Sequence, residues 1–178
     1  MPPTKRADAA RNREKILAVA RGAFAEPGVE TSMAEIARRA EVGMATLYRN
    51  FPGRRELLEA LYTDEVDALC AAAETLSFTA WVHRFLEFST GKHEIANELL
   101  ALDRANPMFN ANRDRVLAAG RPLLTAAQHS GEVRADLTLE QVLDMVMAIA
   151  RINGDPAYVE PILRTALDGL RNPVEPRG

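Results

Sequence analysis

Residues 31–62 read TSMAEIARRAEVGMATLYRNFPGRRELLEALY, and the turn and apolar residues along this stretch decide the fold. Ser32 followed by Glu35 has the S-x-x-E spacing of a capping box, in which the hydroxyl accepts from the third backbone amide and the carboxylate reaches back. The helix it opens is short. Met33, Ile36, Ala37 and Ala40 form its inner face, and Val42-Gly43 then turns the chain. A second short helix over 44–51 ends against Pro52-Gly53, and a longer one starts near Arg54 with Leu58, Leu61, Tyr62, Val66 and Leu69 turned inward. Two short helices joined by a tight glycine-containing turn and flanked by longer ones match the helix-turn-helix arrangement.

Upstream, Ile16, Leu17, Ala20, Ala23 and Phe24 share one helical stripe, which predicts a helix over 9–24 stopped by Glu26-Pro27-Gly28. Downstream the spacing remains helical, and no segment alternates with the period of a strand. Phe78, Trp81, Val82, Phe85 and Leu86 mark one helix; Ile95, Leu99, Leu100 and Leu102 mark another, ended by Asn106-Pro107. A third is read over 112–130 with Gly131 after its end. Thr138 and Gln141 repeat the capping-box spacing at the start of a helix over 139–151, and a last helix carries Val159, Ile162, Leu163, Ala166, Leu167 and Leu170. The reading is all-α: an N-terminal three-helix helix-turn-helix domain over 1–55 and a C-terminal helical bundle over 56–178.

Charge divides the chain at the same place. Its 178 residues hold 22 Lys and Arg against 25 Asp and Glu, a net charge of −3, which conceals a basic N-terminal part. Residues 1–55 carry 11 basic and 6 acidic groups, or +5, and the remainder carries −8. With 47% hydrophobic residues the chain can fill a core, and a folded protein is expected. A single cysteine, Cys70, forms no internal disulfide, and the first fifteen residues, charged at nearly every second place, lack the apolar run of a secretion signal. No run of about 18 apolar residues occurs either, so no membrane is expected as a partner and the cytoplasm is the expected compartment.

A helix that reads a major groove keeps one side locked to its support and offers small, polar and basic groups on the other. Residues 44–51 fit: Leu47 and Phe51 face inward, and Met44, Ala45, Thr46, Tyr48 and Arg49 look outward. Lys and Arg at positions 5, 6, 11, 13 and 15 add phosphate-seeking charge. The helix starts at Ser32 and Arg54 add backbone donors at a positive dipole end. Arg38, Arg39 and Arg55 are read as a solvated face.

In this register the run from Arg13 to Tyr62 resembles the DNA-binding domain of the TetR (tetracycline repressor) family of bacterial transcriptional regulators. The resemblance rests on an Ile-Leu helix with a Phe, a Thr-Ser helix start, Ile-Ala, a Val-led turn, Thr-Leu-Tyr, an aromatic followed by Pro, and a basic residue before Glu-Leu-Leu. It implies that Thr31 and the Ser32 helix end touch phosphate, that Met44, Ala45, Thr46 and Arg49 face bases, and that Tyr48 and Arg54 hold the DNA backbone. The chain departs from the family pattern at Glu41, where Gly is usual, at Gly43, where Ser commonly caps the recognition helix, at Ala45, where Gly is frequent, at Asn50, where His or Tyr is usual, and at Arg54, which replaces a Lys. The resemblance also implies a homodimer on double-stranded operator DNA, released by a small, mostly apolar effector.

Two features of the acidic part suit those roles. Trp81, Phe85, Phe88, Met108 and Phe109 are candidates for lining a ligand pocket, beside an irregular gap expected at Asn106-Pro107. Residues 139–152 are apolar on most of their circumference, so that helix and the last one are expected to meet their counterparts across a two-fold axis. No catalytic residue, metal ligand or cofactor is expected. His83, His93 and His129 lack the i, i+4 pairing of a helical zinc site. Cys70, Ser89 and Ser130 lack an acid-base neighbourhood. The other readings weighed are a helical protein-protein interaction module without DNA activity and, behind it, a small-ligand enzyme.

Overall fold

The computed structural model describes residues 5–24, 31–91, 95–96, 98–99, 106–152 and 155–171, and every regular element among them is α-helical. In chain order these are α1 (Lys5–Phe24), α2 (Met33–Arg39), α3 (Met44–Asn50), α4 (Arg54–Ala72), α5 (Phe78–Gly91), α6 (Pro107–His129), α7 (Leu139–Ala150) and α8 (Pro156–Asp168). Residues 95, 96, 98 and 99 are also helical. The chain forms two compact units. Residues 1–64 with 94–106 make the first, and 65–93 with 107–178 the second, so the division falls inside α4.

In the first unit α1, α2 and α3 pack on one another. Ile16, Ala20 and Ala23 of α1 are buried, as are Ile36, Ala37 and Ala40 at α2 and Leu47 and Phe51 at α3. Ser32 caps α2 by accepting from the Glu35 amide at 3.1 Å. The second arm of the expected capping box is replaced. Arg38 and Arg39 donate to the Glu35 carboxylate at 2.7–2.8 Å, because a guanidinium is a stronger partner for a carboxylate than a backbone amide. The turn that follows places Glu41 at φ 51, in the left-handed region. Its side chain pairs with Lys15 of α1 at 2.9 Å.

Helix α1 starts at Lys5, four residues before the apolar stripe begins to show it. An exposed first turn needs no stripe, and there Arg11 pairs with Asp8 at 2.7 Å. Helix α6 likewise starts at Pro107, not at 112. Proline's fixed φ and missing amide suit a first helical position as well as they suit a stop. The stretches around Pro27 and at 100–105, with the expected gap beside the latter, lie outside the described residues.

The second unit is built on α5, which packs against α6 and α7, with α8 on α7. Trp81 is fully buried, and its indole N–H donates to the Leu69 carbonyl at 3.0 Å. Gly120 of α6 makes room for it: a Cβ there would lie 2.5 Å from the indole ring. Thr138 and Gln141 form both arms of a capping box at the start of α7. Leu139, Val142, Leu143, Val146 and Ile149 are all buried within this one chain. These side chains, with Leu163 of α8, lie in the protomer's own core, so the two-sided apolar character of the helix is met at these positions within the chain.

Candidate nucleic-acid interface

Helix α3 has seven residues and buries only Leu47. Gly43 precedes it in extended conformation and provides no side-chain cap, and Phe51 closes it, its amide donating to the Leu47 carbonyl at 2.8 Å. With the helix pinned at 47 and 51, positions 45, 48 and 49 fall away from the anchored side, and Met44 begins the exposed first turn. Met44 is 39% exposed and Tyr48 46%, and Ala45 and Arg49 are exposed beside them. Thr46 is half-buried, its carbonyl accepting from the Asn50 side-chain amide at 2.8 Å. Behind the helix, the Arg13 guanidinium of α1 lies 4.6 Å from the centre of the Phe51 ring, which brings a further cation to this end of the unit.

The flanking candidates divide. Ser32 is exposed at the start of α2. Thr31, 1% exposed, is turned into the protein, and its hydroxyl donates to the Ala23 carbonyl at 3.2 Å, joining the end of α1 to the start of α2. Arg54 is half-buried and engaged on every side. Its Nε and Nη2 donate to the two oxygens of Glu98, Nη2 at 2.9 Å, Nη1 donates to the Thr31 carbonyl, and its guanidinium lies 4.9 Å from the centre of the Phe24 ring. Sequence reasoning missed Glu98 in this role, since nothing local links residues 44 positions apart. Arg38 and Arg39 hold the Glu35 carboxyl down to about 2 and form an ionic cluster with it on α2, whereas Arg55, read with them as a solvated face, pairs with Glu59 on α4.

Of the five residues singled out as a ligand lining, three are core. Trp81, Phe85 and Phe88 run along α5 with ring centres 6.2 Å apart at each step and interplanar angles of 23° and 34°. Met108 and Phe109 lie half-buried in the first turn of α6. One turn on, Asn112 escapes a reading by sequence. It is 4% exposed, its Oδ1 accepts from Arg115 at 3.2 Å, and its Nδ2 has no hydrogen-bond partner. The available signal was a polar residue four positions before Val116 and eight before Gly120, interrupting an inward stripe.

His83 is half-buried, His129 is exposed and His93 lies outside the described residues. Among the described residues no three His, Cys, Asp or Glu side chains are gathered as a metal would require. Burial pushes the Cys70 thiol up, with the Arg115 charge opposing and Asp67 adding to it, which disfavours the thiolate a nucleophile needs. No helix among the described residues is long and apolar enough to cross a membrane.

Comparison with known proteins covers both units. Residues 16–61 match the family model described as bacterial regulatory proteins, tetR family, and residues 73–172 match that of the C-terminal domain of SbtR-like transcriptional regulators. A TetR transcriptional regulator from Streptomyces coelicolor is 35% identical, with a TM-score of 0.75 over 91% of this chain and 99% of that one. A TetR transcription regulatory protein from Mycobacterium vanbaalenii is 32% identical, with a TM-score of 0.68 over 95% of this chain and 100% of that one. The fold also recurs in FadR from Bacillus subtilis, solved in complex with stearoyl-CoA, at 16% identity and a TM-score of 0.62 over 91% of this chain and 99% of that one. No curated protein sequence matches the chain.

Proposed function

The chain belongs to the TetR family of bacterial transcriptional regulators, and from that premise we propose that it is a cytoplasmic, homodimeric repressor that binds a palindromic operator and leaves it when a small, mostly apolar effector binds. In this reading residues 1–55 read the operator and residues 56–178 bind the effector and the second subunit. The observation that carries it is the outward face of α3, where Met44, Ala45, Tyr48 and Arg49 stand together on a helix with a single buried anchor. Ala45 and Met44 suit close approach to base edges, and Tyr48 and Arg49 suit phosphates or a guanine edge. Ser32 and Thr46 stand as secondary contacts.

The experiment is a selection of duplexes from a random pool with the wild-type protein, followed by mobility shift over a salt series. Replacing Tyr48 and Arg49 by Ala should abolish tight binding and flatten the log-log salt slope by about 0.9 for each phosphate the protein no longer engages. Unchanged affinity and slope would sink the assignment of α3.

For the second subunit, the side chains that remain outside the protomer's core are the relevant ones. Met147 is 39% exposed and Tyr158 62%, with Ala148 and Ala157 exposed alongside. Glu at both Met147 and Tyr158 should give a folded monomer in sedimentation; an intact dimer would place the seam elsewhere. For the effector, the unpartnered Nδ2 of Asn112, in a side chain only 4% exposed, supports one polar anchor in the site. Release then follows from linkage: an effector that binds better to the dimer with misplaced reading heads weakens operator affinity by the same factor.

A further inference from the structure

Arg54 opens α4 three residues after Phe51 closes α3, and its guanidinium is occupied by a carboxylate from a distant part of the sequence. The contact is side-on: Nε and Nη2 meet the two oxygens of Glu98. Two parallel N–H groups fit two oxygens of a carboxylate or of a phosphate equally well. Both side chains remain about a third exposed, at 33% and 36%, so an anion arriving from solvent can reach the fork. The same guanidinium reaches the Thr31 carbonyl, one residue before the cap of α2, and so lies where the entries to α2 and α4 meet.

The chain around Glu98 is held to the reading unit independently of this pair. Residues 94–106 group with residues 1–64. Ile95 and Leu99, four apart and therefore on one helical face, are buried. Asn106 donates at 2.8 Å to Glu59 of α4, which also accepts from Arg55 at 2.9 Å. The Asn106–Glu59 bond is thus a polar tie to α4 separate from that of Glu98.

We propose that Glu98 and the operator backbone compete for Arg54, so that the stretch carrying residue 98 sets whether the reading unit makes this phosphate contact. The inference rests on the DNA-binding reading above. While the carboxylate fills the fork, a phosphate is excluded from it. When Glu98 moves off the fork or loses its charge, the guanidinium becomes available to DNA. Glu98 is a positioning residue in this scheme: it acts on operator affinity through Arg54 without touching DNA.

The test uses the full-length protein and a duplex that the wild type selects from a random pool. Glu98→Gln keeps the shape of the side chain and removes its charge. It should raise affinity several-fold and steepen the log-log salt slope by about 0.9, the increment of one more phosphate engaged. Glu98→Asp keeps the charge on a shorter arm and should fall between the two. Combining Arg54→Gln with Glu98→Gln should cancel the steepening, because the additional phosphate is held by Arg54 itself. A Glu98→Gln slope equal to or shallower than wild type would make Glu98 a brace and overturn the proposal. Steepening that survives in the double variant would overturn it too, by assigning the gain to the general loss of negative charge. If the wild type retained no duplex at all, the DNA-binding reading would fall with it, a result distinct from an unchanged slope on a duplex that binds.

Discussion

Helix α3 and helix α7 use their residues in opposite ways. Seven residues of α3 bury one side chain, whereas twelve of α7 bury five. A helix as short as α3 is marginal by itself, so Leu47 and the closing Phe51 hold it against the rest of the unit. Its remaining positions are then free to be chosen for what they touch outside. In α7 five positions are committed to the protomer's core, and among its apolar residues only Met147 and Ala148 are exposed. Substitutions in the two helices should therefore separate: those on α3 alter binding at constant stability, and those on the bundle alter stability first.

The sharpest break of that comparison is at Trp81. Replacing it by Ala removes a fully buried indole and leaves a cavity between α5 and α6, which should cost about 3–5 kcal/mol in guanidinium unfolding followed by far-UV circular dichroism. Gly120→Ala approaches the same contact from the other side. Its added methyl must displace the indole, and the cost should be about 1–3 kcal/mol. Operator affinity of either variant, measured well below its unfolding transition, should stay within about twofold of wild type. A loss below about 1 kcal/mol for Trp81→Ala would mean that the bundle is not organised around this residue.

Thr31 sharpens the comparison at the border between contact and support. Its hydroxyl is committed to the Ala23 carbonyl. Thr31→Val keeps the shape and removes the donor, so it should destabilise by about 1–2 kcal/mol while leaving the salt slope of DNA binding unchanged. A shallower slope at unchanged stability would restore the phosphate contact that family resemblance implies.

What is legible in the sequence is local. Ser32 as a cap, Val42-Gly43 as a turn, Pro52-Gly53 as a stop and Leu47 as an anchor are each decided within four residues, which is why the helix-turn-helix and its exposed face follow from the order of the residues alone. The rest depends on partners far along the chain. The apolar stripe of α7 says that those residues are covered, and only the packing of α5, α6 and α8 says by what. Arg54 and Glu98 carry no mark of each other. Asn112 is hidden because a polar residue on a helix is ordinarily on its wet side, and Pro107 reads as a stop because the same ring that ends one helix begins another.

The smallest effect concerns Glu41. The turn between α2 and α3 requires a left-handed residue, and at φ 51 a side chain with a Cβ is strained where glycine is not. The resemblance places glycine at this position in other members of the family, and the backbone angle supplies the reason. Glu41 has one compensation, the pair with Lys15 of α1, but that pair is exposed, with side-chain accessibilities of 47% for Lys15 and 81% for Glu41. Relief of backbone strain should outweigh loss of the pair, so Glu41→Gly should raise the melting midpoint by about 2–4 °C. Glu41→Gln, which loses the charge and keeps the strain, should leave the midpoint unchanged or slightly lower. Because Glu41 precedes α3 by three residues, easing the turn also tests how the reading helix is held. If the Gly variant melts higher and binds its selected duplex as the wild type does, Leu47 and Phe51 alone orient α3. If it melts higher and binds less tightly, the strained turn and its tie to α1 take part in aiming the helix.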